Sequence, residues 1–542
     1  MLVAAVAMDG RRGRLRVLGE DGQPAGPAEE VADLVDAVAR REGDATRWLW
    51  ASTASLYPRM LAAGVKVARC HDAELIEALV LGYEGRWGEP RSVEASWARR
   101  HGLPVPDDPV PDAPTGFGAH DQVALFEPPQ RAAVADPLDA LIETYAAQHA
   151  TIAALPEPGR FRLLVAAENA GALIAAEMGH VGLPWSERAH DDVLRELLGD
   201  PPAIAGAPPR RLVELTATLR ELFHDPRLHP ESPAEVLRAF SRAGVALPST
   251  RAWVLRGVDH PAVAPLLEFK ELYRIWTAHG WSWRASWVRD GRFHPEYVPA
   301  GVVSGRWATR GGGALQIPKS VRRAVVADPG WTFVVADAGQ LEPRVLAAMA
   351  GDKGLARAGA SGDLYAALAA EAFGGDRAQA KLALLGAMYG QTGGNAVPAL
   401  AALRQRFPVA WEYVERAART GESGGLVRSW LGRTCPPPDP GERTPARERA
   451  RGRFTRNFVV QATAAEWALT LMALARRALP AAAELVFFQH DEVIVHCPVD
   501  DADAAADALR AAAVRAGRLL FGDTPVRFPL DVAIVTCYAN AK

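Results

Sequence analysis

Two apolar runs, each delivering acids, constrain this chain most. Trp331–Val335 followed by Ala336 and Asp337 reads as a buried strand ending in a carboxylate, with a helix starting over Leu341–Met349. Leu485–His496 reads as a hairpin, apolar on both arms, with His490, Asp491 and Glu492 at its tip. From Leu341 to Leu479 the pattern is mostly helical, broken by Pro436–Pro440. A carboxylate at the end of a buried strand is well placed to hold a metal in a cleft. Acids at a hairpin tip can meet another acid from a neighbouring strand. Each run also has a plainer reading: Asp337 as a helix cap, and the tip as an ordinary polar turn.

A chain of 542 residues is too long for one ordinary domain and can bury several cores. At 49% hydrophobic and 23% charged residues it has the composition of a globular protein. No apolar run reaches the length expected of a bilayer-crossing segment, and Met1–Met8 does not have the order of a secretory signal. Cys70, Cys435, Cys497 and Cys537 are far apart with no CxxC pair, so neither a zinc site nor a disulfide framework is expected, and a cytoplasmic setting is. The net charge of −3 neither favours nor excludes nucleic acid, since a local basic face is enough. Only 6 of the 61 basic residues are lysine, which makes an internal lysine such as Lys381 notable.

The first hundred residues alternate short strands (Leu2–Ala7, Trp48–Trp50) with helical segments (Val31–Arg41, Ala73–Gly82), an α/β pattern. Pro104–Pro114, with five prolines, reads as a loop or linker. Leu138–Leu155 is a helix, and 160–275 is mainly helical with breaks at Pro201–Pro209 and Pro226–Pro233.

Two helical stripes carry chemistry. Within Asp376–Gly390, Arg377, Lys381, Leu385 and Tyr389 recur every fourth residue. Each step drifts only about 40° around a helix, giving one stripe about 18 Å long. Two cations, an apolar residue and an aromatic in a row suit a triphosphate followed by a sugar and base. Arg443–Arg456 holds six arginines and runs into Asn457 and Gln461. Arg453, Asn457 and Gln461 share a face, with a cation for phosphate and amides for base edges. The plainer readings are a solvated basic turn beside the core and an exposed salt-bridged face, the latter weakened because only Glu442 and Glu448 lie near the arginines.

In this order the motifs resemble the family A DNA polymerases, well over 260–542 and loosely over 1–260. The family's first metal motif, Asp followed after two residues by Gln-Ile-Glu-Leu-Arg, resembles Asp337-Ala338-Gly339-Gln340-Leu341-Glu342-Pro343-Arg344. Its nucleotide helix resembles Arg377, Lys381, Leu385 and Tyr389-Gly390, its Arg-x3-Asn-x3-Gln helix Arg453, Asn457 and Gln461, and its hairpin His490-Asp491-Glu492. Gly305-Arg306 is similar to the family's Thr-Gly-Arg segment, and Leu315-Gln316-Ile317-Pro318 to its Leu-Gln-Asn-Ile-Pro without the Asn. Leu385 stands where the family has an aromatic, Ala338 and Gly339 replace larger residues, Pro343 replaces Leu, and Tyr365 stands near a usual His.

The resemblance implies an RNase H-like α/β exonuclease-type domain over 1–155, followed by a right hand: thumb 156–300, palm 301–350 and 451–542, fingers 351–450. It implies that Asp337 and Asp491 bridge two Mg²⁺ ions, with Mn²⁺ able to substitute, and that Glu492 supports them as a catalytic residue. Arg377, Lys381, Leu385, Tyr389, Gln340 and Glu342 then form the nucleotide site, with Glu342 crowding the sugar 2′ position. Arg306, Gln316, Arg453, Asn457, Gln461 and His490 grip primer and template. The implied partners are primer–template DNA and deoxynucleoside triphosphates, for a monomer in the bacterial cytoplasm at the nucleoid, acting in repair or replication, without a membrane partner.

Proofreading is not expected. The exonuclease chemistry needs an Asp-x-Glu on the first strand and two further aspartates. Leu2–Met8 carries no acid, Asp9 follows but has Arg11 where the Glu is needed, Asp72-Ala73-Glu74 looks like a helix start, Ser55 or a neighbour falls where the second acid belongs, and Asp139 alone survives as a possible third. Two other readings of the polymerase region stand: a non-catalytic DNA-binding protein on a decayed polymerase fold, against which the two aspartates argue, and a single-subunit RNA polymerase, against which Glu342 argues.

Overall fold

The structure is a computed structural model describing the chain except residues 20, 110–135, 205, 391–395, 439–440, 442–443 and 542. The latter part of the Pro104–Pro114 segment, the end of Pro436–Pro440 and Arg443 therefore lie outside the described residues. Contacts divide the chain into two units. One holds 1–180, 296–310 and 334–533, and the other holds 181–295, 311–333 and 534–542.

The larger unit contains two sheets. The first has five strands in the order Glu29–Val31, Gly13–Leu18, Leu2–Ala7, Arg47–Trp50, Cys70–Asp72. The Leu2–Ala7 strand pairs antiparallel with Gly13–Leu18 and parallel with Arg47–Trp50, which runs parallel to Cys70–Asp72. Val3, Trp48, Trp50, Tyr57 and Met60 form its buried core on one side, and Ala4, Leu49, Leu138 and Leu141 on the other. The Gly13–Leu18 strand escaped the sequence reading because arginines alternate in it. Arg14 and Arg16 turn to one face and pair with Asp136 and Asp139. The helix expected over Val31–Arg41 is Leu34–Arg41, with Val31 in the edge strand and Asp33 accepting from the first-turn N–H groups. Asp72 caps the Ala73–Tyr83 helix by accepting from Leu75 N.

The second sheet places Glu484–Gln489, Glu492–Pro498, Trp331–Ala338 and Leu530–Val535 side by side in that order. The Glu492–Pro498 strand lies against the Ala502–Phe521 helix, which packs in turn on Pro445–Ala478, and the inward faces of both helices are buried. The Pro445–Ala478 helix corrects one expectation. It contains an 18-residue window with mean hydropathy 1.4, long and apolar enough to span a bilayer by composition, yet 83% of that window is buried inside the protein. An all-round apolar helix is what a core helix also requires.

Arg476, near the end of that helix, joins it to the first sheet's domain. It forms a two-pronged pair with Glu177 and donates to the carbonyls of Val67 and Ala68, while Tyr57 Oη donates to Glu177 at 2.6 Å.

The smaller unit is mainly helical, including Glu187–Leu198, Arg210–Leu222, Pro233–Arg242 and Val263–His279. Its core includes a ring cluster of Trp185, His190, Trp283 and Phe293. The helix Pro158–Val181, which the sequence resemblance grouped with the thumb, makes its contacts in the larger unit up to residue 180.

Candidate active site

The Trp331–Ala338 strand is apolar because the sheet buries it on both faces, and Asp337 emerges half-buried at its end. Ala338 N–H donates to the Asp491 carbonyl at 3.1 Å, so the main chains carrying Asp337 and Asp491 meet at adjoining strand ends. Asp337 does not cap the next helix. That position belongs to Gln340, held at φ +58° in the left-handed region.

The hairpin closes through His490 and Asp491, with Gln489 opposite Glu492. His490 takes φ +60°, at the first loop position, where a tight hairpin needs a positive φ and glycine would be less strained. A side chain kept there at a backbone cost points to a role for the imidazole. Burial lowers its pKa from the ordinary histidine value, helped by Arg306 and opposed by Glu492. Glu492 is buried. Tyr297 locks the hairpin from behind, its hydroxyl donating to the Phe488 carbonyl at 2.7 Å and accepting from Phe488 N–H at 3.0 Å.

Tyr297 and Trp307 anchor the 296–310 segment on the hairpin and so bring Arg306 to the site. Gly305, at φ +81°, lies so close to the buried Arg433 guanidinium that any side chain there would collide with it. Arg433 pairs in turn with the fully buried Glu168. Arg306 donates to Glu342 Oε1 at 2.5 Å, and Tyr389 Oη donates to Oε2 at 2.6 Å. Burial, the hydrogen bond and the charge of Glu342 raise the Tyr389 phenol above its ordinary value.

The Arg377–Tyr389 helix starts at Asp376, which caps it, and ends at Gly390 with φ +67°. Arg377, Lys381 and Tyr389 are exposed and Leu385 is half-buried, while Ala380, Ala383, Leu384 and Ala387 face the core. The four-residue stripe is therefore a surface facing outward, on the side where Tyr389 reaches Glu342. Arg453 packs over Gly390, and Asn457 and Gln461 follow it, half-exposed, along the long helix.

The arginine run is divided by the fold. Arg456 is drawn inside to Glu415 and the Ala387 carbonyl, and Arg451 to the Pro436 carbonyl. Arg449 and Arg453 remain exposed. Gln316 is exposed at the end of a short helical turn in the smaller unit.

The structure adds Asp363 and Asp531, which the sequence reading did not single out, and gives Arg344 and Gln340 contacts that it did not foresee. Arg344 is buried and holds the carbonyls of Gly339, Gly359, Ser361, Gly362 and Arg527, and Gln340 Oε1. Gln340 gives its amide N–H to Asp363 Oδ1 at 2.8 Å and accepts from Leu364 N, so both ends of this side chain are engaged by the protein. Asp363 Oδ2 accepts from Arg377 Nε at 2.8 Å. Asp531, on the strand beside Asp337's, brings Oδ2 within 3.6 Å of where a Gly339 side chain would begin. A short acid–x–acid pattern could not have flagged Asp531, which is remote in sequence and alone on its strand.

Among the described residues no three His, Cys, Asp or Glu side chains are grouped to cage a metal. Carboxylates on two adjoining strand ends fit instead a small hard cation that keeps water and substrate oxygens as its other ligands.

The family model for DNA polymerase family A matches residues 235–537. The chain belongs to that family. It is 29% identical over 343 residues to the thermostable DNA polymerase I of Thermus filiformis, covering 58% of this chain and 40% of that protein. It is 32% identical over 251 residues to DNA polymerase I of Chloroflexus aurantiacus, covering 41% of this chain and 26% of that protein. The chain thus spans well under half the length of these relatives. Its fold matches the POL domain of Pol1 from M. smegmatis, solved in complex with DNA primer-template and dNTP, with a TM-score of 0.73 at 17% identity over 99% of this chain and 95% of that one.

Proposed function

We propose that this chain is a template-directed DNA polymerase that adds deoxynucleotides to a primer 3′-hydroxyl by two-metal-ion phosphoryl transfer, in DNA repair or replication. The observation that carries the reading is the meeting of the Asp337 and Asp491 strand ends through the Ala338–Asp491 hydrogen bond, with the Arg377–Tyr389 helix tied to the segment after Asp337 through Tyr389–Glu342 and Arg377–Asp363–Gln340. Asp337 and Asp491 would hold two Mg²⁺ ions, or Mn²⁺, which when bound lower the pKa of the primer hydroxyl and neutralise charge on the triphosphate and leaving pyrophosphate. Glu492 supports the pair from the hairpin.

The chain's own side chains bind and orient the reactants. Arg377 and Lys381 take the phosphates of the incoming nucleotide, Leu385 and Tyr389 lie along its sugar and base, and Glu342 crowds the 2′ position. Arg306, His490, Arg453, Asn457, Gln461 and Gln316 contact primer and template. In this reading 156–300 serve as thumb, 301–350 and 451–542 as palm and 351–450 as fingers. The N-terminal sheet, with three antiparallel strands continued by two parallel ones, supports an RNase H-like exonuclease-type domain; without the acids of that chemistry it is read as lacking proofreading activity. We assign the chain to the bacterial cytoplasm, at the nucleoid, as a monomer.

Primer extension tests this directly. Wild type should extend a primed template with deoxynucleotides only when a divalent cation is added. Asp337→Ala and Asp491→Ala should each abolish extension and leave primer–template affinity nearly unchanged. DNA binding by a wild type that never extends would support a decayed, non-catalytic polymerase fold, and ribonucleotide-only extension a single-subunit RNA polymerase.

A further inference from the structure

Arg377 is the first residue of the nucleotide helix, and its guanidinium is restrained from two directions. Asp363 Oδ2 takes its Nε at 2.8 Å, and the Tyr365 ring lies under it, 5.6 Å from guanidinium carbon to ring centroid. Its Nη1 and Nη2 have no hydrogen-bond partner among the described residues. A guanidinium held by Nε, with a ring within cation–π reach of one face, presents its Nη edge, the edge that fits two phosphate oxygens at once.

The restraint is itself rigid. Asp363 caps the Leu364–Ala372 helix, Oδ1 accepting from Ala366 N at 3.1 Å and from Gln340 Nε2 at 2.8 Å. Gln340 Oε1 accepts from Leu364 N at 2.8 Å. Arg344, buried, pins the preceding loop through the carbonyls of Gly359, Ser361 and Gly362. A chain of fixed groups therefore runs from the end of the Asp337 strand to the first residue of the nucleotide helix. Tyr365 is buried and cannot swing freely.

We propose that Asp363 is a positioning residue for triphosphate recognition, aiming the Nη edge of Arg377 at the phosphates with Tyr365 as the platform beneath it. This rests on the polymerase reading above and extends it from the residue that touches phosphate to the residue that orients it.

The alternative is a latch: Asp363 could compete with the triphosphate for Arg377, and its removal would then tighten nucleotide binding. The test measures equilibrium nucleotide affinity on a primed template, with steady-state KM and kcat, for wild type, Asp363→Asn, Asp363→Glu, Arg377→Ala and the Asp363→Asn/Arg377→Ala double variant. Asn remains a good helix cap, so Asp363→Asn keeps the fold while removing the acceptor for Arg377. Asp363→Asn should weaken nucleotide binding about tenfold, the effect of losing a charge-assisted hydrogen bond. It should change kcat much less, and Asp363→Glu should restore part of the loss. The double variant should bind no worse than Arg377→Ala alone, because Asp363 acts through that arginine. Tighter binding in Asp363→Asn, or fully additive losses in the double variant, overturns the proposal. Failure of wild type to extend a primer would overturn the polymerase reading instead, and is scored separately.

Discussion

Tyr389 Oη donates to Glu342 Oε2 at 2.6 Å, tying the last residue of the nucleotide helix to the first turn of the helix that follows the Asp337 strand. Arg306 holds the other oxygen. A carboxylate tethered from both sides cannot turn aside for an extra hydroxyl, which is what exclusion of a ribose demands. Glu342→Ala should raise the ratio of ribonucleotide to deoxynucleotide incorporation by about tenfold or more. Tyr389→Phe frees one oxygen only and should raise it less. Competitive incorporation assays measure both, and an unchanged ratio in Glu342→Ala would remove the gate from Glu342.

Leu385 sits half-buried on the same outward stripe, one turn from Tyr389. An aliphatic side chain offers a sugar less flat contact area than an aromatic one. Leu385→Tyr should lower the nucleotide KM by about three- to tenfold, in proportion to an added aromatic contact. A KM that stays level or rises would place Leu385 away from the sugar.

Much of this site was legible because strands and helices betray themselves by period. The Asp337 strand, the hairpin and the Arg377 stripe follow from runs of apolar residues and steps of four. What the chain hides is contact between distant segments. Arg344 looks like one more arginine in an arginine-rich sequence, yet it is buried and organises the 359–362 loop. Gln340 fits the metal motif by sequence, but its amide is held between Asp363 and Leu364. The Gly13–Leu18 strand was obscured by arginines whose partners lie more than a hundred residues away. Periodicity carries no information about such pairings.

The arginine run shows the same limit and divides into members of two kinds. Six arginines in Arg443–Arg456 suggest a uniform basic face, but Arg451 and Arg456 are turned into the protein. Among the described residues Arg447, Arg449 and Arg453 are exposed, and the last two lead along the helix toward Asn457 and Gln461. Arg449→Ala and Arg453→Ala should each reduce the slope of log affinity against log salt by about 1 in DNA-binding titrations. Arg451→Ala, by contrast, should lower stability, because it strips the donor from the Pro436 carbonyl. Slopes equal to wild type in the first two variants would return this stretch to an ordinary solvated helix.

Asp363 links the site to pH. Burial opposes its ionisation, but hydrogen bonds from Arg377, Gln340 and Ala366 N–H outweigh it and hold its pKa at about 2. The unfolded chain releases this proton near 3.9. A carboxyl depressed on folding contributes stability that is full above the unfolded value and is lost as pH falls toward the folded one. Wild type should therefore exceed Asp363→Asn in stability at pH 6, with the gap narrowing as pH falls below 4. Urea unfolding at several pH values measures this. A gap independent of pH would assign the effect to something other than the charge.

The N-terminal domain provides the last prediction. A two-metal exonuclease needs several acids free to converge on cations. Here the first strand has none, and the acids nearest to the expected places are engaged in the fold. Asp72 accepts from Thr53 N at 2.7 Å and Leu75 N at 2.9 Å, and burial raises its pKa. Asp139 pairs with Arg16 and Asp136 with Arg14. The same domain is bound to the long Pro445–Ala478 helix through Arg476, Glu177 and Tyr57, which gives it a bracing role. Arg476→Ala would leave the half-buried Glu177 without its cation and should destabilise the protein by about 3 kcal/mol. A mismatched primer incubated with Mg²⁺ or Mn²⁺ and no nucleotides should stay intact. Because deletion of the domain would break the Arg476 cluster, point variants serve better: trimming that survives Asp337→Ala but disappears in Asp72→Ala or Asp139→Ala would show a working nuclease centre and overturn this account of the domain.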